Sequence, residues 1–369
     1  MSHWIGHIDE ALKTAALPDA KGLRVAPALA LGVSTLRGQS RCWYAGQATP
    51  HTIFDLASLT KPLTTLLWGL RLVEAGRLTL TEPIGRWIDV KSRSLATSPV
   101  WRLLNHTTGL AAHRCYFEEH ASAALAGEHR KVYTQVLASI RQDALEADPG
   151  ARERYSDLGF LLLAELLGRV DGSLGDVWPQ LPGHSPSALH FRALEQPLHE
   201  VARYAPTEQC DWRGRLLRGE VHDDNCWAMG GLCGHAGAFG DLESVLALGQ
   251  GFLKAWLGQG SDLGISPELM QLTCDRSWMH PNGTRVLGWD TPTPGRSSAG
   301  QHISLGSVGH LGFTGTSIWL DPEREAVVVL LTNRVSPTRT NTLIRQFRPL
   351  IHDLVWQWLD EAQRMRSDD

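Results

Sequence analysis

The feature that most constrains this chain is the way its strand and helix signals are sorted. Strand-like runs stand near both ends and helical ones fill the middle. The apolar stretch "VAPALALGV" opens a strand over about 25–34, and a second covers 41–47. Near the other end, "GTSIWLDPEREAVVVLLTNR" reads as two strands joined by a turn at "DPER". Helices are predicted over 3–16 and 340–360, outside these strands. Between them lie a helix from about Ser58 to a Gly76 stop, one with Ser98 as cap and Pro99 at its first position, and others over 156–170 and 241–258. The Gly, Pro and Ser-rich stretch 171–187 reads as a loop. One sheet drawn from both chain ends, flanked by helices and carrying an inserted helical lobe, explains this order. The class is α/β in the broad sense (α+β), a single unit over 1–369 with a sheet lobe from about 20–60 and 285–360 and a helical lobe from about 61–284. A cleft between the lobes is the default site.

Bulk properties narrow the partners. Apolar residues make up 43% and charged residues 20%, and 35 basic and 39 acidic residues leave a net charge of −4 with no basic cluster. That argues against a nucleic-acid footprint or a polybasic membrane patch. No apolar run is long enough for a membrane span. The first twenty residues lack the basic and apolar regions of a signal peptide, so a cytoplasmic location is expected. The six cysteines show no disulfide framework, and reduced thiols are the default reading.

The stretch "FDLASLTKPLTTLLW" (54–68) carries the sharpest chemical signal. Pro62 is tolerated only in a first helical turn, which fixes the helix start close to Ser58. Ser58 and Lys61 then share one face, three residues apart. A capping serine beside a solvated lysine is the plainer reading. Against it, Lys61 is one of only six lysines in an arginine-using chain, and it sits inside an apolar string. A serine nucleophile needs a proton acceptor, a fixed orientation and donors for an oxyanion. Neutralising an ordinary lysine at pH 7 costs roughly 4.6 kcal/mol, a cost expected to fall on burial and with a tyrosine sharing the proton. Tyr155, one of five tyrosines, precedes the apolar helix "SDLGFLLLAELLG", and "GHLGFTGTS" (309–317) supplies a small-residue strand to line the cleft.

With these three elements in order, the chain resembles the serine β-lactamase and penicillin-binding-protein-like hydrolases. Ser58 and Lys61 match their S-x-x-K, Tyr155-Ser156-Asp157 matches Y-x-N with Asp for Asn, and His310-Leu311-Gly312 matches K-T-G in an H-x-G form. The stretches "LLNHTTGL", "GGLCGHAGAFG" and "LGWD" fit the same group, and "RGRLLRGEVHDDN" and "GHAGAFG" look most like its esterase-like and muramyl-amidase-like branch. The resemblance implies the β-lactamase/transpeptidase-like fold. It implies Ser58 as the acylated nucleophile, Lys61 and Tyr155 trading its proton, and the backbone N–H groups of Ser58 and Phe313 as the oxyanion hole. His310, Gly312, Asp157, His222 and His235 are expected to contact substrate.

Two departures matter. A histidine at 310 is mostly neutral at pH 7, so an uncharged amide or ester suits the site better than a carboxylate-bearing one, with a shift expected below about pH 6 as the ring gains charge. Asp157 either adds charge beside the base or simply caps the helix that follows. The stretch from Cys210 to His235 also holds Asp223, Asp224, Cys226 and Cys233, which are metal-ligand residue types in no zinc spacing. No metal and no cofactor is expected. The resulting reading is a serine hydrolase acting through an acyl-enzyme on an amide or ester, with a small muramyl-peptide fragment favoured as substrate. A broad carboxylesterase or weak β-lactamase/D,D-peptidase stands as the alternative of the same class, and a silent binding protein or a metal-dependent hydrolase as alternatives of others. Oligomeric state is left open.

Overall fold

The run Ala326–Thr332 is apolar at nearly every position and buried throughout, which a strand requires only when both faces of its sheet are covered. That is its place. In chain order the main strands are β1 (Ala28–Thr35), β2 (Ser40–Gly46), β3 (Val308–Leu311), β4 (Ser317–Asp321) and β5 (Ala326–Thr332). They lie in the order β2-β1-β5-β4-β3, each neighbouring pair antiparallel. This computed structural model describes residues 2–185, 187–192, 194 and 200–367.

Side chains of β5 alternate between two cores, as a period of two demands. Ala326, Val328 and Leu330 face one core, with Ile8 and Leu12 of α1 (Ser2–Ala16) and Ile351, Val355 and Trp356 of the last helix. Val327, Val329 and Leu331 face the other, which continues into the helical lobe. The helices of that lobe include α2 (Leu67–Glu74), α3 (Tyr116–Leu125), α4 (His129–Gln142) and α5 (Asp157–Asp171). Next comes α6 (Leu242–Trp256), and α7 (Ile344–Ser367) closes the chain. Although α6 falls within the 61–284 span, it packs on the sheet itself. Its approach is close because Gly249 faces β5: a Cβ there would lie 2.7 Å from Val327 Cγ1 and 3.0 Å from Ile318 Cδ1.

The terminal strands, the turn between β4 and β5, and helices α1, α5, α6 and α7 stand close to where the sequence places them. Asp321 makes that turn by accepting from the N–H groups of Glu323 (3.0 Å) and Arg324 (3.1 Å). The helix after Ser58 differs in detail. It opens as a 3₁₀ turn over Ala57–Leu59 and a π turn over Lys61–Leu66 before α2 begins. Gly76 ends it in a Schellman motif, with Gly76 N–H on Val73 O and Arg77 N–H on Leu72 O. Ser98 does not cap a helix. Pro99 bridges Pro83, and the Val100 and Trp101 N–H groups bond back to Glu82 and Leu80, so the helix starts only at Trp101. The loop expected over 171–187 contains a short helix, Leu174–Val177, nucleated by a reciprocal Ser173–Asp176 capping box; position 186 lies outside the described residues.

Candidate active site

The turn that carries Ser58 is held from both sides. Asp55, fully buried, accepts from the Ala57 N–H (2.8 Å) and the His222 N–H (2.6 Å). Ala57 consequently sits at φ 48°, a strained conformation for a residue with a side chain. The loop after β3 packs on this turn through Thr314 Oγ1, which donates to Asp55 O (2.7 Å), and Thr316 Oγ1, which donates to Leu56 O (3.2 Å). Gly312 is where the two segments meet. A Cβ at 312 would lie 2.0 Å from Thr316 Oγ1 and 2.7 Å from Leu56 O. Through this fit Ser58 and Phe313 come to line one cleft, and neither backbone N–H has an acceptor among the described residues. Two free donors on one wall are what a developing oxyanion requires.

Lys61 is wholly buried behind Ser58 and uses all three of its N–H bonds. It donates to Ser58 Oγ (3.0 Å), Asp157 Oδ1 (2.7 Å) and the His235 carbonyl (3.0 Å). Burial works against the ammonium, but the Asp157 carboxylate and then Tyr155 outweigh it, so its pKa lies above the ordinary value. The expectation that burial favours neutral Lys61 is thereby corrected: Asp157 keeps it charged at rest. Tyr155 is half-buried on the cleft wall with its ring 4.8 Å from Lys61 Nζ, and its hydroxyl interacts with both Lys61 and Ser58. Burial raises the phenol, and the Lys61 charge opposes that rise. His106, from "LLNHTTGL", fixes the tyrosine. Its Nδ1 accepts the Ser156 N–H (3.0 Å) while its ring lies on that of Tyr155, centroids 4.6 Å apart.

A profile of the family described as Beta-lactamase matches residues 9–351 of this chain. The chain belongs to the beta-lactamase family. Among its relatives in that family is a protein of Bacillus subtilis (strain 168) named N-acetylmuramyl-L-alanine amidase, 27% identical over 320 residues that cover 77% of this chain and 68% of the relative. A putative D-alanyl-D-alanine carboxypeptidase of Escherichia coli (strain K12) is 27% identical over 322 residues, covering 78% of this chain and 70% of the relative. Of solved structures, the hydrolase EstCE1, described as having promiscuous acyltransferase activity, superposes with a TM-score of 0.68 at 18% identity, over 96% of this chain and 99% of that one. The fold is accordingly β-lactamase/transpeptidase-like, and the enzyme is a serine hydrolase of this family.

In this β-lactamase-family cleft the third motif is uncharged. His310 is buried, its Nδ1 donates to Leu311 O (2.9 Å), and burial, with the Lys61 and Arg285 charges, pushes its pKa down to about 3. The expectation that His310 gains charge below about pH 6 is corrected by that surrounding. Asp157 does not cap α5 either. Ser156 accepts the Gly159 N–H (3.1 Å), which leaves the Asp157 carboxylate free to bridge Lys61 and His113 Nδ1 (3.2 Å). Burial raises that carboxyl, but Lys61, His113 and His235 together hold it well below the usual range.

His222 lies on the cleft wall, stacked on Phe313 at 5.6 Å and bonded at Nε2 to Glu208 (3.1 Å). The His235 side chain is buried with its Nε2 on Asp223 (3.0 Å), which lines the cleft, and its backbone carbonyl accepts from Lys61 (3.0 Å). Among the described residues no group of three or more His, Cys, Asp or Glu side chains is placed to hold a metal ion. The Cys226 thiol is spent on Ala236 O (3.3 Å) and Cys233 packs on Met229.

Sequence reasoning missed two sets of residues. His113 follows "HTTGL" by a few positions, and only its closeness to a quoted stretch could have flagged it. The arginines of the cleft come from distant segments. Arg285 is paired with Glu153 (2.6 Å) and Arg339 with Glu208 and Asp224. Arg345 and Arg348, on the first turns of α7, face the cleft with no carboxylate partner among the described residues. Arg348 is only 6% exposed, donates to Thr316 O (3.3 Å) and leaves its Nε unbonded.

Proposed function

We propose that Ser58 is acylated by an amide or ester substrate that carries an anionic group, a muramyl-peptide fragment being the class that fits best. The observation that carries this reading is Ser58 Oγ set 3.0 Å from Lys61 Nζ, on a wall that also bears the free N–H groups of Ser58 and Phe313. Once the Lys61–Tyr155 pair has lost one proton to solvent, Ser58 attacks the carbonyl carbon and its own proton fills the place left in the pair. The two N–H groups receive the oxyanion, and the pair returns the proton to the departing amine or alcohol. Water then repeats the sequence on the acyl-enzyme, with Ser58 as leaving group.

Substrate class rests on two supports. The cleft, of about 520 Å³, has room for a peptide-sized fragment. The two arginines of α7 supply the positive charge that His310 lacks, and a buried guanidinium without a counterion favours an anion entering beside it. This replaces the preference for uncharged substrates drawn from His310 alone. The relatives named for muramyl-alanine amidase and D-alanyl-D-alanine carboxypeptidase point to cell-wall peptides, which bear such carboxylates. We read the site of action as the cytoplasm, on imported fragments. The six cysteines, all thiols, suit a reducing compartment, and no described helix is long and apolar enough to cross a membrane.

The test is intact-mass detection of the acyl-enzyme with muropeptides, penicillins and neutral esters side by side. A fluorophosphonate should label Ser58, and Ser58→Ala should lose turnover by several orders of magnitude. Arg345→Ala should raise KM for carboxylate-bearing substrates about tenfold and leave that for neutral esters unchanged. Unaltered turnover by Ser58→Ala removes the nucleophile; efficient turnover of neutral esters alone makes the enzyme a carboxylesterase.

A further inference from the structure

We propose that His113 tunes the base of this active site: through Asp157 it sets how tightly the Lys61 ammonium is held, and hence the pH at which Ser58 becomes reactive. The inference rests on the reading of Ser58 and Lys61 given above. Its basis is one carboxylate shared between two donors. Asp157 Oδ1 lies 2.7 Å from Lys61 Nζ and Oδ2 lies 3.2 Å from His113 Nδ1. Lys61 is completely buried, whereas the His113 side chain is 40% exposed on the cleft wall and in contact with solvent. Asp157 therefore joins an inaccessible ammonium to an accessible imidazole.

The physics is competition for one negative charge. Each donor that binds a carboxylate weakens its attraction for the other, and the two titrations become coupled. With His113 bonded to Oδ2, part of the Asp157 charge is drawn off Lys61, and removing a proton from the Lys61–Tyr155 pair costs less. Without His113, Asp157 acts on Lys61 alone and holds the ammonium to higher pH. The other groups facing His113 are Asp223 and Asp224, across the cleft on the 222–235 segment. Lys61 and Tyr155 stand behind Asp157, and Arg339 lines the same cleft. The Asp157 hydrogen bond, with the Asp223, Asp157 and Asp224 charges and against partial burial, raises the His113 pKa above its ordinary value. His113 touches none of the reacting atoms in this scheme; it is a positioning residue. Ser156 makes the arrangement available, because it takes over the helix cap that Asp157 would otherwise form.

The experiment follows the rate of Ser58 acylation by p-nitrophenyl acetate from pH 7 to 12 by stopped flow, so that exposure to alkali is brief, read as the midpoint of its alkaline rise. It uses the full chain as native protein, His113→Leu, His113→Lys, Asp157→Asn and the Asp157→Asn/His113→Leu double variant, each checked for native circular dichroism. His113→Leu should move the midpoint up by about one pH unit. His113→Lys, which keeps a cation on Asp157 at every pH, should restore the midpoint to the native value or below. Asp157→Asn should move it down, and His113→Leu should add nothing in that background. A midpoint unmoved in His113→Leu overturns the proposal, including the case of a rate lowered equally at every pH, which is what a merely structural role produces. The same shift with and without Asp157 also overturns it, because the effect would not pass through that carboxylate. A native protein in which Ser58 takes no acyl group overturns the nucleophile assignment itself, a distinct result from a failed midpoint shift.

Discussion

Lys61 has no spare hydrogen and no spare space, and its chemistry follows from that. Three acceptors at 2.7–3.0 Å fix its orientation, and Asp157 fixes its charge. A base must therefore arise from the Lys61–Tyr155 pair as one unit. Lys61→Ala and Tyr155→Phe are each expected to lower kcat/KM by at least a thousandfold, with the double variant little worse than either. Losses that simply multiply in this double-mutant cycle would show that the two act separately. The spacing of Ser58 and Lys61 was legible in the sequence because three residues on a helix always share a face. The charge on Lys61 was not, because it depends on a carboxylate 96 positions away. His310 shows the same limit. Its residue type implies a pKa near 6.5, while the burial that takes it to about 3 is a property of the packed cleft.

Elements are where local signals and tertiary contacts compete. Pro62 and Gly76 are local, and they bound the helical stretch from Ala57 to Glu74, whereas the cap of α5 falls to Ser156 rather than to Asp157. Pro99 misleads, because a proline suits an isolated β-bridge as well as a first helical turn, and the partner segment at 80–83 decides between them. The packing of α6 on the sheet hides in an ordinary-looking glycine. Gly249→Val would push side-chain atoms into Val327 and Ile318, and a cost of about 1–3 kcal/mol is expected. Urea unfolding should show a lower midpoint for this variant, while the folded fraction keeps native activity because α6 does not line the cleft. An unchanged midpoint would mean that helix and sheet separate freely there. Gly312 is the site counterpart: Gly312→Ala should cost activity, since the added carbon meets Thr316 and the Leu56 carbonyl beside Ser58.

For the whole molecule, buried histidines set the acid limit. His184 and His352 are pushed by burial to about 4, and His310 to about 3. In the unfolded chain each would titrate near 6.5. Unfolding therefore takes up protons as the pH falls below 6.5, so stability is full above that value and declines down to about pH 4. Each histidine contributes about 1.4 kcal/mol per pH unit, so the three together cost about 4 kcal/mol at pH 5.5. Denaturant midpoints compared at pH 7.5 and 5.5 should reveal that drop, and equal midpoints would exclude it. The two-ended sheet was legible from the order of strand signals alone, and it carries a consequence for synthesis. β1 pairs on one side with β2, its immediate neighbour, and on the other with β5, which begins about 290 residues later. At about 5–20 residues per second, a ribosome leaves that inner edge of β1 open for tens of seconds. The nascent chain thus exposes an apolar hairpin edge until β5 emerges, the kind of unpaired edge on which strands of other chains can add.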